Sequence, residues 1–294
     1  MKKLFIGGIL TIVLGSIVFI FYQSNFAVAI IREEVKHKAS QIKALNIETT
    51  AANIEITISK TDDITVNLDG KINEKYKEKY LLKVDESGEK LNISYISNEN
   101  SPGIKFGTTK DVRLHIAIPE KLYRSLAART SSGRIDIEDM EVQNINLKTT
   151  SGNQFIRNVK SKMSTSVQST SGDIDINNNN LKHFLINSTS GTIEIDNLVS
   201  EEGRINTTSG NVMIKLKELA KRLDVETTSG DVETFFEQKP TSIRIDFKGN
   251  SGHSEIGLPN IMYENKGENS AIGLIGTGSN QLNVRTTSGN FKAE

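Results

Sequence analysis

The chain has 294 residues, with 36 basic and 36 acidic side chains, 6% aromatic residues, no tryptophan and no cysteine. The lack of cysteine excludes disulfides, thiolate metal sites and a cysteine nucleophile. The balanced charge argues against nucleic acid as a partner, for which a strongly basic surface is expected.

The N-terminal segment, residues 1–31, differs from the rest of the chain. Leu4–Tyr22 carries no charge and is long enough to span a bilayer as a helix. Lys2 and Lys3 precede it, so the positive-inside tendency places the N-terminus in the cytoplasm. Ala27-Val28-Ala29 also fits a signal-peptidase site, which leaves cleavage open as an alternative. We predict that residues 1–31 form a transmembrane anchor or signal peptide, and both interpretations export the remaining residues.

Residues 32–118 contain strand-like runs separated by turn signals. One run, Ile47–Ile56, fits the template of the repeats that follow it, with Ala51-Ala52 in place of Ser-Gly. We predict an irregular β cap that includes this first degenerate repeat. The charged stretch Lys71–Lys79 would shield its open sheet edge.

Residues 119–294 carry a recurring Thr-Ser-Gly motif. Its successive glycines are separated in sequence number by 19, 20, 19, 19, 20, 22 and 37, and the last gap divides into 19 and 18 if Asn269-Ser-Ala271 is a worn copy. A nearly constant period of this length is typical of a stacked repeat. The motif glycines, which we interpret as structural corners, are Gly133, Gly152, Gly172, Gly191, Gly210, Gly230, Gly252 and Gly289.

Apolar residues alternate with short polar ones on both sides of each motif. This alternation is the period of a strand with one buried face, and one such unit cannot bury that face alone. We therefore predict an all-β fold, a single-stranded β-helix (β-solenoid) in which each repeat is a strand, a Thr-Ser-Gly corner and a second strand. Glycine would bend the chain through a positive φ, and Ser and Thr hydroxyls would bond the freed amides.

Three segments depart from the template. Lys215–Leu223 has the apolar spacing of a helical turn, and Asn177–Asn180 predicts a second corner or an asparagine ladder. Gly257–Asn280 is rich in glycine and irregular, so we expect it to interrupt the stack near its end.

The repeats carry no strong catalytic signal. The motif serine recurs at every corner, which favours a structural role, and no G-x-S-x-G elbow occurs. Asp136, Asp175 and Asp196 could form an acidic line that binds a divalent cation, although a solvated face is the plainer interpretation. We therefore predict a non-enzymatic protein without catalytic residues, cofactor or metal.

A regular outward row of threonines is the candidate binding face. Flat hydroxyl arrays can match a lattice or a polymer, whereas the plainer interpretation is a ladder that supports the sheet. The row consists of Thr150, Thr170, Thr189, Thr208 and Thr228.

A lysine-led N-terminal helix followed by repeats of the form x-I-x-L-x-T-T-S-G-x-I-x-I resembles the bacterial putative-adhesin β-solenoid domain family, and within it LiaG-type membrane-anchored proteins. The resemblance implies a Gram-positive envelope location and a link to responses to wall-active antibiotics and antimicrobial peptides. It supplies no catalytic motif.

Three functions follow in order of preference. The first is a membrane-anchored extracytoplasmic binding or sensing module of the envelope-stress response, whose partner is a membrane protein of that response, a cell-wall polymer or an antimicrobial peptide. The second is a cell-surface adhesin that binds host or neighbouring cells. The third is a polysaccharide-active enzyme on a β-helix, which is disfavoured because Arg129, Arg134, Arg157 and Arg204 are scattered relative to the motif glycines.

Overall fold

The computed structural model describes residues 27–97, 109–217 and 220–294. Within these ranges, no helix is long and apolar enough to cross a membrane. The predicted span Leu4–Tyr22 lies outside the described residues, and the first described strand begins at Val28, inside the range predicted as anchor.

The described residues form 24 strands and a short 3₁₀ helix at Glu74–Lys79. In chain order the strands are β1 Val28–Lys38, β2 Ala44–Thr49, β3 Asn53–Ser59, β4 Asp63–Asn73, β5 Tyr80–Ser87, β6 Lys90–Ser97, β7 Thr109–Pro119, β8 Tyr123–Thr130, β9 Ile135–Glu138, β10 Glu141–Lys148, β11 Gln154–Arg157, β12 Lys160–Gln168, β13 Ile174–Ser188, β14 Ile193–Val199, β15 Glu202–Thr207, β16 Val212–Leu216, β17 Arg222–Thr227, β18 Val232–Phe236, β19 Ile243–Lys248, β20 Ser254–Ile256, β21 Met262–Lys266, β22 Ser270–Ile275, β23 Asn280–Thr286 and β24 Phe291–Ala293.

The repeats stack as parallel rungs, which confirms an all-β, solenoid-like fold. Strands that precede a corner pair with their equivalents in the next rung and form face A, as β8, β10 and β12 do. Strands that follow a corner form face B, as β9, β11 and the start of β13 do. β13 passes through both faces, because its first part pairs with β14 and its last part with β15.

Equivalent apolar residues form buried columns between the two faces. The residues five positions before the motif glycine are at most 2% exposed in all eight copies. In face B, Ile137, Ile156, Ile176, Ile195 and Ile214 are at most 2% exposed and make the matching column. The alternation read from the sequence therefore marks the core correctly.

The motif glycines stack directly on one another, but the expected reason for glycine is wrong. None of them has a positive φ. A Cβ on Gly152 would instead lie 1.7 Å from the carbonyl oxygen of Gly133, and one on Gly191 would lie 2.1 Å from that of Gly172. The constraint is close approach between rungs, and it begins at Ala52, whose carbonyl oxygen lies 2.0 Å from the Cβ position of Gly133.

Positive φ occurs instead at a second corner, where face B ends. Asp139, Asn158, Asn178 and Asn197 have φ between 53° and 57°. Asp and Asn tolerate this conformation better than other residues with a Cβ. The Asn158 side chain donates to Asp139 Oδ1 at 2.9 Å, one rung away. The asparagine run therefore contains a second corner, as predicted.

The C-terminal coil does not stack last. β23 pairs in parallel with both β17 and β19, and β24 pairs with both β18 and β20, so the last coil inserts between the two preceding coils. β21 and β22 form an antiparallel hairpin on β19. Asn269-Ser-Ala271 is therefore no worn corner, because Ala271 lies in β22 and pairs with Phe247.

The predicted helical turn at Lys215–Leu223 is also wrong where the structure describes it. Leu216 ends β16 and Leu223 lies in β17, both with buried side chains. Leu216 and Leu223 therefore belong to two separate strands of the stack and not to successive turns of one helix.

Antiparallel strands close the N-terminal end. β5 pairs with β6 on face A, and β1, β4 and β7 form an antiparallel extension of face B. The degenerate repeat belongs to the stack, since β2 pairs with β8 and β3 with β9.

A buried hydroxyl fastens each of several corners. Thr207 Oγ1 accepts the Gly210 amide at 3.1 Å, and Ser169 Oγ donates to the Gly172 carbonyl at 2.7 Å. These residues lie three positions before the glycine, immediately before the motif threonine. Hydroxyl capping is therefore confirmed, but it belongs to the preceding residue.

We predict that Gly191→Ala lowers the free energy of unfolding by at least about 2 kcal/mol, because its Cβ would press on a backbone carbonyl that cannot move without opening the ladder. Gly257→Ala is the control, since the atom nearest its Cβ is 3.7 Å away. Urea melts of both variants measure the difference. Equal losses would contradict the close-approach explanation.

We predict that Thr207→Val costs about 1–2 kcal/mol, because it removes the acceptor of a buried amide. Thr208→Val, one residue further on, changes an exposed side chain and should stay within about 0.5 kcal/mol of the parent. Urea melts also measure these two variants. A larger loss of unfolding free energy for Thr208→Val than for Thr207→Val would show that Thr208 is the capping residue.

Candidate functional site

The predicted threonine row lies on the surface, at the edge between the two faces. All five side chains are exposed. Their backbone carbonyls accept hydrogen bonds from the next rung. The Thr150 carbonyl accepts the Ser171 amide at 2.8 Å, and the Thr189 carbonyl accepts the Ser209 amide at 2.8 Å. The backbone of the row is therefore structural, while its hydroxyls remain a predicted binding face.

The first residue after several of the motif glycines has a structural role. Asn153 Oδ1 accepts the amide of Asp173 at 3.0 Å, and Asp173 Oδ1 accepts that of Thr192 at 2.9 Å. In the same way, Asn211 Oδ1 accepts the amide of Asp231 at 3.1 Å. Short Asn and Asp side chains thus join neighbouring rungs at the start of face B.

The third residue after each glycine forms an outward column on face B that is mainly acidic. Its register is continuous from one rung to the next. In spatial order the column is Glu55, Asp136, Phe155, Asp175, Glu194, Met213, Glu233, Lys292 and Glu255.

The three predicted carboxylates do not form a single line. Asp136 and Asp175 share the acidic column but lie on either side of Phe155. Asp196 lies in the neighbouring column, beside Lys215. Among the described residues, no group of three or more His, Asp or Glu is arranged to hold a metal ion.

Partial burial perturbs these carboxylates. Burial raises the pKa of Asp136, although Arg157 lies 2.6 Å and Arg134 3.4 Å from its oxygens and opposes the shift. Burial and the Asp196 charge likewise raise the pKa of Asp175, against the effect of Arg157. Loss of water destabilises both charged forms, so added positive charge would stabilise them.

An open groove interrupts the acidic column. Met213 is 40% and Phe235 53% exposed, although both occupy outward positions where the repeat usually has a polar residue. The groove has a volume of about 340 Å³, and Glu194 and Glu233 also line it. Within the described part of the chain, neither glutamate has an ion-pair partner within 4.0 Å.

Basic residues at the margin of the groove are already paired. Lys215 lies 3.8 Å from both Asp196 and Glu237, and Lys292 pairs with Glu294. The groove thus combines exposed apolar side chains with two carboxylates that form no ion pair within 4.0 Å, although Lys292 lies in register beside Glu233 and feels its charge.

Face A carries an arginine cluster that the sequence did not reveal. The cluster comprises Arg204, Arg222, Arg285 and Arg244, from the adjacent strands β15, β17, β23 and β19, of which β23 is the inserted one. Relative to the motif glycines, Arg204 is one of several scattered arginines, and the other three do not share one position in the repeat that would predict a cluster.

Carboxylates within the arginine cluster pair with its guanidinium groups. Arg222 Nε lies 3.0 Å from Asp224, and Arg285 lies 2.9 Å from Asp246. Burial acts to raise the pKa of Asp224, but the Asn283 hydrogen bond and the arginines outweigh it and hold that pKa below its usual value. The cluster therefore fastens the inserted coil.

Three solved structures are similar to this chain, and the first of them agrees with the solenoid-like fold. A structure from Bacteroides fragilis, named as a putative adhesin, aligns with a TM-score of 0.51 at 14% identity, covering 90% of this chain and 97% of that chain. A putative adhesin from Parabacteroides merdae gives a TM-score of 0.46 at 12% identity, with 90% and 96% coverage. A putative lipid binding protein from Parabacteroides distasonis gives 0.40 at 12% identity, with the same coverage.

No curated protein matches the chain. The Toastrack DUF4097 family, in contrast, matches residues 42–294, a range that includes both faces, all eight motif glycines and the groove. The chain therefore belongs to the Toastrack family.

Proposed function

We propose that the protein is a non-enzymatic, extracytoplasmic binding module, held in the cell membrane by residues 1–31, that senses cationic amphipathic peptides in a LiaG-type envelope-stress response. The observation that carries this proposal is the groove on face B. Met213 is exposed there between Glu194 and Glu233, and Phe235 is exposed in the neighbouring column, two residues after Glu233.

Charge and apolar area on face B complement such a peptide. Lysines on one side of the peptide would meet the acidic column, and its apolar side would cover Met213 and Phe235. A surface of one sign also steers an oppositely charged ligand and raises its association rate. A bound cation would favour the ionised form of Asp175, whose pKa burial raises.

The parallel stack suits this mode of binding. Equivalent side chains recur about every 4.8 Å along the rungs, so face B offers several carboxylates in one direction. An extended or helical peptide could contact several rungs at once. Its affinity would then depend on the number of charges contacted, which suits recognition of a peptide class more than of one sequence.

Two features support a non-enzymatic role. The motif serines repeat at every corner, where the Ser151 and Ser171 amides donate to the rung below. The most buried carboxylate of the acidic column, Asp136, is engaged by two arginines. A polysaccharide-active enzyme remains the remote alternative, and product analysis with purified wall polymers tests it.

A cell-surface adhesin is the second candidate, favoured by the similarity in fold to the Bacteroides fragilis protein. An adhesin must reach beyond the cell wall, whereas a sensor close to the membrane need not. Antibody binding to intact cells, compared with cells whose wall has been digested, separates these two functions.

We predict that Glu194→Gln/Glu233→Gln weakens binding of a labelled, roughly 20-residue amphipathic peptide of Lys and Leu by about tenfold at low salt, because two negative charges beside the exposed apolar side chains are lost. Phe235→Ser should weaken binding by a similar factor through lost apolar contact. Fluorescence anisotropy with the full chain in zwitterionic nanodiscs measures both.

The matched control is Glu48→Gln/Glu226→Gln, which removes two exposed carboxylates from face A. It should leave the affinity unchanged. Equal weakening by the two double variants would show that net charge alone attracts the peptide and would refute the groove as the site.

We predict that cells lacking the gene show a shifted dose response to cationic peptides and wall-active antibiotics, together with altered output of an envelope-stress reporter. Complementation with the parent gene should restore both, and complementation with Glu194→Gln/Glu233→Gln should not. An unchanged dose response and reporter output in the deletion strain would contradict a role in this response.

A further inference from the structure

The start of the described chain lies beside the 3₁₀ helix. Val28 pairs with Asn73 in the β1–β4 ladder, and the Glu74 amide donates to the Ala27 carbonyl at 2.9 Å. Residues 1–26 therefore join the solenoid at this helix and not elsewhere on its end.

Lysines surround this point. Lys71, Lys75, Lys77 and Lys79 occur in a short stretch that contains only two glutamates, and the first three are exposed. We call these four residues the lysine patch. The ammonium groups of Lys75 and Lys79 lie 5.7 and 5.5 Å from the centre of the Tyr76 ring, so an aromatic side chain lies within the patch.

Apolar side chains point outward at the same place. Ile30 is 73% exposed and pairs in register with Lys71. Val28 is 45% exposed, and Leu81, two residues after the helix, is 44% exposed. Apolar residues, a tyrosine and lysines at one point are typical of protein surfaces that contact the headgroup region of a bilayer.

Shielding of a sheet edge explains the lysines but not the apolar residues. A charged edge strand discourages pairing with other chains, yet an exposed Ile30 and Val28 on the outermost strand would encourage association in water. A partner that binds both lysines and apolar side chains accounts for the lysine patch and for the exposed Ile30 and Val28 together.

The length of the preceding segment sets how far this surface can lie from a membrane. The uncharged run ends at Tyr22, five residues before Ala27. Five extended residues span about 17 Å at most. A tether of this length lets the lysine patch reach the headgroups, where the lipid charge attracts it within a Debye length of about 8 Å at physiological salt.

We propose that the lysine patch, with Tyr76, Ile30 and Leu81, seats the N-terminal end of the solenoid on an anionic lipid surface. The proposal rests on the membrane anchor of the proposed function, but not on the peptide groove. Seating holds the rungs at a fixed orientation to the bilayer, with face B accessible from the side.

Because the chain lacks cysteine, single-cysteine labelling of the full protein tests this seating. A fluorophore at Glu78→Cys reports on the patch and leaves its lysines intact. One at Glu255→Cys, in β20, reports on a site ten strand spacings from β4, the strand that leads into the patch, or about 48 Å. The protein is reconstituted in vesicles of phosphatidylcholine alone or of phosphatidylcholine and phosphatidylglycerol in a two-to-one ratio, with a quencher on the lipid headgroup.

We predict at least twofold stronger quenching at position 78 than at position 255 in the anionic vesicles. Lys75→Glu/Lys77→Glu, raised salt or the neutral vesicles should each reduce it to the level at position 255, and Ile30→Ser should reduce it in part. Lys221→Glu/Lys248→Glu, two exposed lysines elsewhere, is the control and should leave it unchanged.

The outcomes separate the two proposals. Protein that floats with both vesicle types but shows equal quenching at positions 78 and 255 overturns the seating and leaves the anchor intact. Quenching at position 78 that is unaffected by charge reversal and salt also overturns it, because the tether alone then explains proximity. Protein that floats with neither vesicle type overturns both the anchor and the seating.

Discussion

The contact between a carbonyl oxygen and the corner glycine above it governs this structure. In the column of corners, the site of a Cβ lies 1.7 to 2.1 Å from the oxygen beneath it, from Gly133 on Ala52 to Gly252 on Gly289. A parallel ladder fixes the rung spacing, so the corner cannot relax without loss of strand pairing. Ala52 offers its carbonyl to Gly133 and belongs to the first rung that has a motif corner, so the absence of glycine there is consistent with the constraint.

Local patterns in the sequence were sufficient for the rungs but not for their order. Alternation places Ile176 in the core and Asp175 outside, and the Thr-Ser-Gly period marks the eight corners that contain a motif glycine. The insertion of β23 could not be predicted, because the corner at Gly289 has the same local sequence as the others and fits equally well against Gly230 or Gly252. The contacts that hold β23 in place, from Asn283 to Asp224 and from Arg285 to Asp246, follow only from the order of the strands and not from the local sequence.

The candidate site also contains residues that the sequence pattern predicts and residues that it does not. Asp136 and Asp175 were recognisable as outward carboxylates, and the structure places them in one column. The repeat pattern does not predict Met213 and Phe235 as site residues, because it describes only the positions that follow the alternation of apolar and polar residues. Their signal was the departure itself, a large apolar residue where alternation calls for a polar one. In a solenoid, such exceptions carry more information about binding than the repeated residues, since the repeated residues already serve the stack.

The two faces therefore differ in what they leave available to a ligand. On face A, the arginine cluster and its carboxylates satisfy one another, and a charged ligand would have to displace Asp224 or Asp246 from hydrogen-bonded pairs. On face B, Glu194 and Glu233 border exposed apolar side chains, and the nearby lysines are held by other carboxylates. An exposed glutamate without an ion pair contributes little to folding stability, so the fold itself gives no reason for Glu194 and Glu233 to lie beside Met213 and Phe235. A ligand that is both cationic and apolar gives such a reason, and the stack presents it with a rigid surface whose charges are already in register.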